Sequence, residues 1–76
     1  MNRNYETVQR ALSQNVRRLR RERGLSQEAL AFAAEIDRTY VSQLERCINN
    51  PSLWVLWKIA DALGADVPTL LQSPKR

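Results

Sequence analysis

Two helix-start signals, Ser26 and Asp37, bracket one short segment within residues 26–45, SQEALAFAAEIDRTYVSQLE. The spacing between them leaves room for a short helix and a tight turn, and little else. A serine hydroxyl or an aspartate carboxylate accepts from the free N–H groups of a first helical turn. Behind Ser26, the residues Ala29, Leu30, Ala33 and Ala34 recur at helical spacing. They predict one small apolar face that lets another helix approach closely. Behind Asp37, Val41 and Leu44 point inward. Ile36 is placed to fold back on Val41 as a hydrophobic staple. With Val41 inward, a turn of about 100° per residue sends Thr39, Gln43 and Arg46 outward. Arg38 and Ser42 fall on one flank and Tyr40 on the other. The outward face is short and hydrogen-bonding, with cations at both ends. That is the chemistry that reads base edges in a major groove.

The rest of the chain reads as helices around this pair. Residues 1–4 are expected to be a flexible arm, residues 5–72 the folded domain and residues 73–76 a tail. Tyr5 to Arg23 predicts a first helix with Val8, Leu12, Val16 and Leu19 as its apolar stripe. Asn4 is its expected cap, and Gly24 ends it in a left-handed conformation. Leu25 is expected to pack back on the core. A loop over residues 47–51 follows the second N-capped helix. Pro51 tolerates a first-turn position because it lacks an N–H, and Ser52 is the alternative cap. Leu53, Leu56, Ile59, Ala60 and Leu63 predict the inner face of a fourth helix that Gly64 stops. Asp66 caps a fifth, through about Leu71, with Pro68 in its first turn. The expected fold is all-α, with five helices.

Seventy-six residues make one domain, near the lower limit for folding alone. Seven arginines against Glu6 and Glu22 give residues 1–23 a balance of +5, while residues 24–76 balance at −1. A one-sided basic distribution suggests a polyanion partner. There is no histidine, and Gly24 and Gly64 are the only glycines. A Ser-His or Cys-His nucleophile system, a histidine metal site and a glycine-rich phosphate loop are thereby excluded. We expect no cofactor, no metal and no catalysis. Cys47 has no internal disulfide partner and reads as a small filler. No stretch approaches the roughly 20 apolar residues of a membrane span, and the start of the chain has no apolar signal region. The expected setting is the cytoplasm.

The order of motifs resembles the helix-turn-helix of phage repressor and Cro-type regulators, the group named after the xenobiotic-response-element repressor. The resemblance is carried by Val16-Arg17-x-Leu19-Arg20, Gly24-Leu25-Ser26-Gln27, Leu30-Ala31, Ser42-x-x-Glu45-Arg46 and Asn50-Pro51-Ser52-Leu53, with Leu56, Ile59-Ala60 and Leu63. It covers roughly residues 8–71. The run from Asp37 to Ser42, with Leu44-Glu45-Arg46, also resembles the small controller proteins of restriction–modification systems. Two positions depart from the family pattern. The usual glycine of the turn falls at Glu35, and the loop carries Cys47, Ile48 and Asn49 where glycine and basic residues are common.

The resemblance implies a sequence-specific regulator that binds double-stranded DNA. It assigns Arg38, Thr39 and Gln43 to the bases. Arg38 suits guanine O6 and N7, because its guanidinium donates a bidentate pair. Gln27, Tyr40, Arg17, Ser42, Arg46 and Asn50 fall to the phosphate backbone. Depth in the groove decides between the roles of Thr39, Tyr40 and Ser42. The resemblance also pairs Arg20 with Glu45.

One recognition helix rarely supplies tight specific binding, so we expect a homodimer on a pseudo-palindromic operator. The DNA-facing surfaces must stay free, which leaves helices four and five and the back of helix two. Trp54 and Trp57, three residues apart, are the expected anchors, joined by Leu70 or Leu71. The rival reading is an antitoxin or protein-interaction module with secondary DNA binding, motivated by outward-facing Phe32 and Trp54. Nothing in the residues marks a contact with RNA polymerase.

Overall fold

A computed structural model describes residues 3–74, and the expected tail residues Lys75 and Arg76 lie outside that range, as do Met1 and Asn2. Among the described residues the fold is all-α, with helices α1 (Tyr5–Glu22), α2 (Gln27–Ala34), α3 (Arg38–Glu45), α4 (Leu53–Ala62) and α5 (Val67–Leu71). Every helix starts on a side chain that accepts from its own first turn. Asn4 accepts from the Thr7 N–H, Ser26 from Ala29, Asp37 from Thr39, Ser52 from Val55 and Asp66 from Thr69. Ser52, not Pro51, is therefore the α4 cap. Of the expected arm, Asn4 serves as the α1 cap, and Arg3 donates to the Leu71 carbonyl at 2.6 Å.

Four helix ends share one solution. Gly24, Glu35, Cys47 and Gly64 all have positive φ, between 58° and 69°. After each, the next N–H reaches back one full turn: Leu25 to Arg20 O, Ile36 to Ala31 O, Ile48 to Gln43 O and Ala65 to Ala60 O. This Schellman arrangement satisfies carbonyls that would otherwise be orphaned. Glycine takes it without strain, whereas Glu35 and Cys47 bring a Cβ close to a carbonyl. Glu35→Gly is accordingly expected to stabilise the domain by about 0.5–1 kcal/mol, the relief of strain exceeding the added unfolded-chain entropy. Thermal unfolding checks this, and a lowered melting temperature would show that the Glu35 side chain supports the turn.

The core forms where α1 packs on α3 and α5, and α2 packs on α3 and α4. Leu12, Val16, Leu19, Leu30, Ala31, Ala34, Val41, Leu44, Leu56, Ile59, Ala60, Leu63 and Leu70 make one buried cluster. Leu25 and Ile36 pack against it, as their positions beside the caps predict.

Four expectations need correction. In α2 the buried set is Leu30, Ala31 and Ala34, so the apolar stripe is rotated and Ala33 is exposed. Leu53 is 71% exposed, because the core ends one turn short of the α4 start. Val8 is only half-buried and lies outside the core cluster. Leu70 is fully buried in the domain's own core, which removes it from any dimer surface; Leu71 is half-buried beside the same core.

Asn15, which the α1 stripe did not signal, is also buried. Its amide donates to the carbonyls of Leu70 and Gln72, both at 2.8 Å. It closes the C-terminal end of α5, a helix too short to satisfy its own last carbonyls.

Candidate nucleic-acid interface

Asp37 and the left-handed turn at Glu35 set the start of α3 beside the start of α2. Gln27, Arg38, Thr39 and Ser42 consequently line one open groove. Arg38 and Thr39 are exposed on α3 and Arg46 at its C-cap, while Tyr40, Ser42 and Gln43 are half-buried. The buried side of the same helix is Val41, Leu44 and Glu45. A polar face at the helix start, held by an apolar face behind it, has the shape and donors to enter a groove.

Beneath this face lies a charged hub. Arg20 meets Glu45 in a bidentate pair, with Nε donating to Oε2 at 2.6 Å and Nη2 to Oε1 at 3.0 Å. Arg20 Nη1 also donates to the Leu25 carbonyl at 2.7 Å. Glu45 Oε1 accepts a further bond from Gln27 Nε2 at 3.1 Å. Arg17 Nη2 donates to the Glu45 carbonyl at 2.6 Å, and its Nε lies 3.8 Å from the carboxylate. Burial by itself raises the Glu45 pKa. The hydrogen bonds from Arg20 and Gln27, with the Arg20 and Arg17 charges, outweigh burial and hold it below the ordinary carboxylate value. Arg20 is raised, chiefly by its hydrogen bond to Glu45. Two side chains assigned to phosphates, Arg17 and Gln27, thus hang on the same residue as the structural pair. Each keeps further N–H groups for a ligand.

The loop after α3 is tied to α1 by contacts that residue spacing did not reveal. Tyr5 donates its hydroxyl to Asn50 Oδ1, and Gln9 donates to the Asn49 carbonyl at 2.9 Å. Tyr5 and Gln9 are four apart and share a helix face, a signal available only once the loop's position is known. Asn49 stands where the family pattern has a basic residue. Its amide instead donates to the Tyr40 carbonyl at 3.3 Å, and its Oδ1 is buried. Burial, and to a smaller degree Tyr5, raise the Tyr40 hydroxyl above its ordinary pKa, so it remains a donor.

A second surface lies on α4. Trp54 and Trp57 stack with ring centroids 5.6 Å apart, and Lys58 Nζ sits 5.3 Å from the Trp54 ring centre. The rings remain 63% and 52% exposed.

A family model described as Helix-turn-helix (HTH_3) matches residues 16–70. The chain belongs to this family. The family is one of transcription regulators, not of enzymes. The regulator is similar to the HTH-type transcriptional regulator SutR of Escherichia coli, 34% identical over 70 residues that cover 92% of this chain and 39% of SutR. Control protein C.SmaI of Serratia marcescens is 41% identical over 67 residues, covering 88% of this chain and 80% of that protein. Among solved structures, the restriction-modification controller protein C.AhdI from Aeromonas hydrophila superposes with a TM-score of 0.78 at 42% identity, over 82% of this chain and 94% of that one. The biofilm regulator SinR, solved in complex with DNA, gives 0.77 at 35% identity, over 80% and 98%. No helix among the described residues is long and apolar enough to cross a membrane.

Proposed function

We propose that this regulator binds double-stranded DNA sequence-specifically in the cytoplasm as a homodimer on a pseudo-palindromic operator, and that it controls a restriction–modification system. The groove lined by Gln27, Arg38, Thr39 and Ser42 carries the DNA reading. The likeness to C.SmaI and C.AhdI supports the controller role, and the likeness to the DNA-bound SinR supports the mode of docking. Arg38, Thr39 and Gln43 read bases. Gln27, Tyr40, Arg17, Ser42, Arg46 and Asn50 hold the backbone and set the register. The stacked Trp54 and Trp57 form the centre of the dimer contact, with Leu71 at most a peripheral member.

Selection of bound duplexes from a random library tests the reading. The expected product is a symmetric motif with half-sites about 34–36 Å apart, one DNA turn. Arg38→Ala is then expected to weaken the selected site by about 1–3 kcal/mol and to relax preference at one base pair. Arg17→Ala is expected to weaken all duplexes alike and to flatten the salt dependence by about one unit. It also removes the hydrogen bond to the Glu45 carbonyl, so its melting temperature falls while that of Arg38→Ala does not. Equal losses by both variants on every sequence would overturn the division between reading and anchoring.

A further inference from the structure

The arginines of α1 and its flanks divide into two groups. Arg3 is held by the Leu71 carbonyl, Arg18 by Glu22, Arg20 by Glu45, and Arg23 lies beside Gly64. Arg10 and Arg21 remain, and Arg17, which holds the Glu45 carbonyl yet stays exposed, lies between them. They are seven and four residues apart, so they share one helix face, opposite the buried Leu12, Val16 and Leu19. All three are exposed, and among the described residues the side chains of Arg10 and Arg21 have no ion pair or hydrogen bond. Glu22 is engaged with Arg18 and the Glu45 carboxylate lies 3.8 Å from Arg17, while Glu6 stands one turn before Arg10 in the sequence.

Helix α1 adjoins the proposed DNA surface, and Arg17 is the member of the row that touches α3. At one end Tyr5 and Gln9 hold Asn50 and Asn49 in the loop after α3. Further along, Arg17 holds the last carbonyl of α3, and Gln27 at the start of α2 shares Glu45 with it. Helix α1 therefore runs along the edge of the reading unit, from the α3–α4 loop towards the start of α2. Arg10 and Arg21 are about 16 Å apart along the helix axis. That span matches about five nucleotide steps of one duplex strand.

We propose that Arg10, Arg17 and Arg21 form a rail that engages the phosphates of the operator duplex outside the segment read by α3. The inference rests on the DNA reading above and extends it to flanking sequence. The rail carries charge and no base contacts, so it adds affinity and salt dependence without adding sequence preference.

The test uses the full chain, wild type and the double variant Arg10→Gln/Arg21→Gln. Arg17 is left intact because it also holds α3. Affinity is measured against salt on two duplexes, one trimmed to the selected operator and one with about ten arbitrary base pairs, one helical turn, added on each side. Wild type is expected to show a steeper slope on the flanked duplex. The variant is expected to lose about 1.8 units of slope per protomer there, at about 0.9 per phosphate, with little change on the trimmed duplex. Its preference for operator over random sequence and its melting temperature should stay as in wild type. Arg10→Lys/Arg21→Lys should keep the wild-type slope. An unchanged slope for the glutamine variant on the flanked duplex, or an equal loss on both duplexes, would overturn the rail while leaving the operator reading intact. Two duplexes bound per dimer in sedimentation would move the row to a second duplex and overturn the flanking contact. A wild type with no operator preference would overturn the DNA reading and the rail together.

Discussion

Arg20→Met is expected to destabilise the domain by about 3–5 kcal/mol, and Glu45→Leu by a similar amount, because each strands a buried charge. The double variant should be more stable than the sum of the two losses implies. Both side chains are buried and bonded face to face, so removing both leaves no uncompensated ion. Recovery stays incomplete. Arg20 also satisfies the Leu25 carbonyl, and Gln27 loses its acceptor, each worth about 1 kcal/mol. A urea double-mutant cycle measures the coupling, and simple additivity would mean that the pair contributes through its separate contacts only.

Acid gives an independent reading of the same pair. Glu45 has a folded-state pKa below its ordinary value of 4.5. Its contribution is therefore complete above that value and is lost as pH falls through the folded pKa. The wild type should lose stability across this acidic window, and the Arg20→Met/Glu45→Leu variant should lose less.

Trp54→Arg is expected to convert a dimer into a folded monomer and to weaken operator binding by about 10²–10⁴-fold, the gain that linking two half-site contacts provides. Trp54 lies on the surface, stacked on Trp57 rather than built into the core, so its loss should cost the fold little. Two such stacked pairs meeting across a two-fold axis would bury aromatic area on both sides. An arginine at that point beside Lys58 would set like charges against each other. Sedimentation at micromolar concentration reads the assembly and a gel shift reads the operator. A variant that stays dimeric with unchanged operator affinity would place the interface away from α4.

The parts of this protein that follow from local chemistry were legible in its residues. Caps at Asn4, Ser26, Asp37 and Asp66, stops at Gly24 and Gly64, and the inward Val41 and Leu44 depend on neighbours within one helical turn, and the structure has them all. The Arg20–Glu45 pair came from the family resemblance, and the distances bear it out. The left-handed turn at Glu35 is a different case. The residue argues against that backbone, and the packing of α2 and α3 imposes it.

What the sequence left open were choices between equivalent helical directions, and the placement of the neighbouring helices settled them. Ala31 rather than Ala33 faces inward because α2 must meet both α3 and α4. Leu70 rather than Leu71 fills the core because α1 approaches α5 from that side. Asn15 is buried because the C-terminal end of α5 arrives over it. The resemblance assigns Arg17 and Gln27 to phosphates, yet both also end on Glu45, 28 and 18 residues away. A helical period specifies which residues share a face. Which face is buried, and which polar group meets which, depends on where the other helices stand.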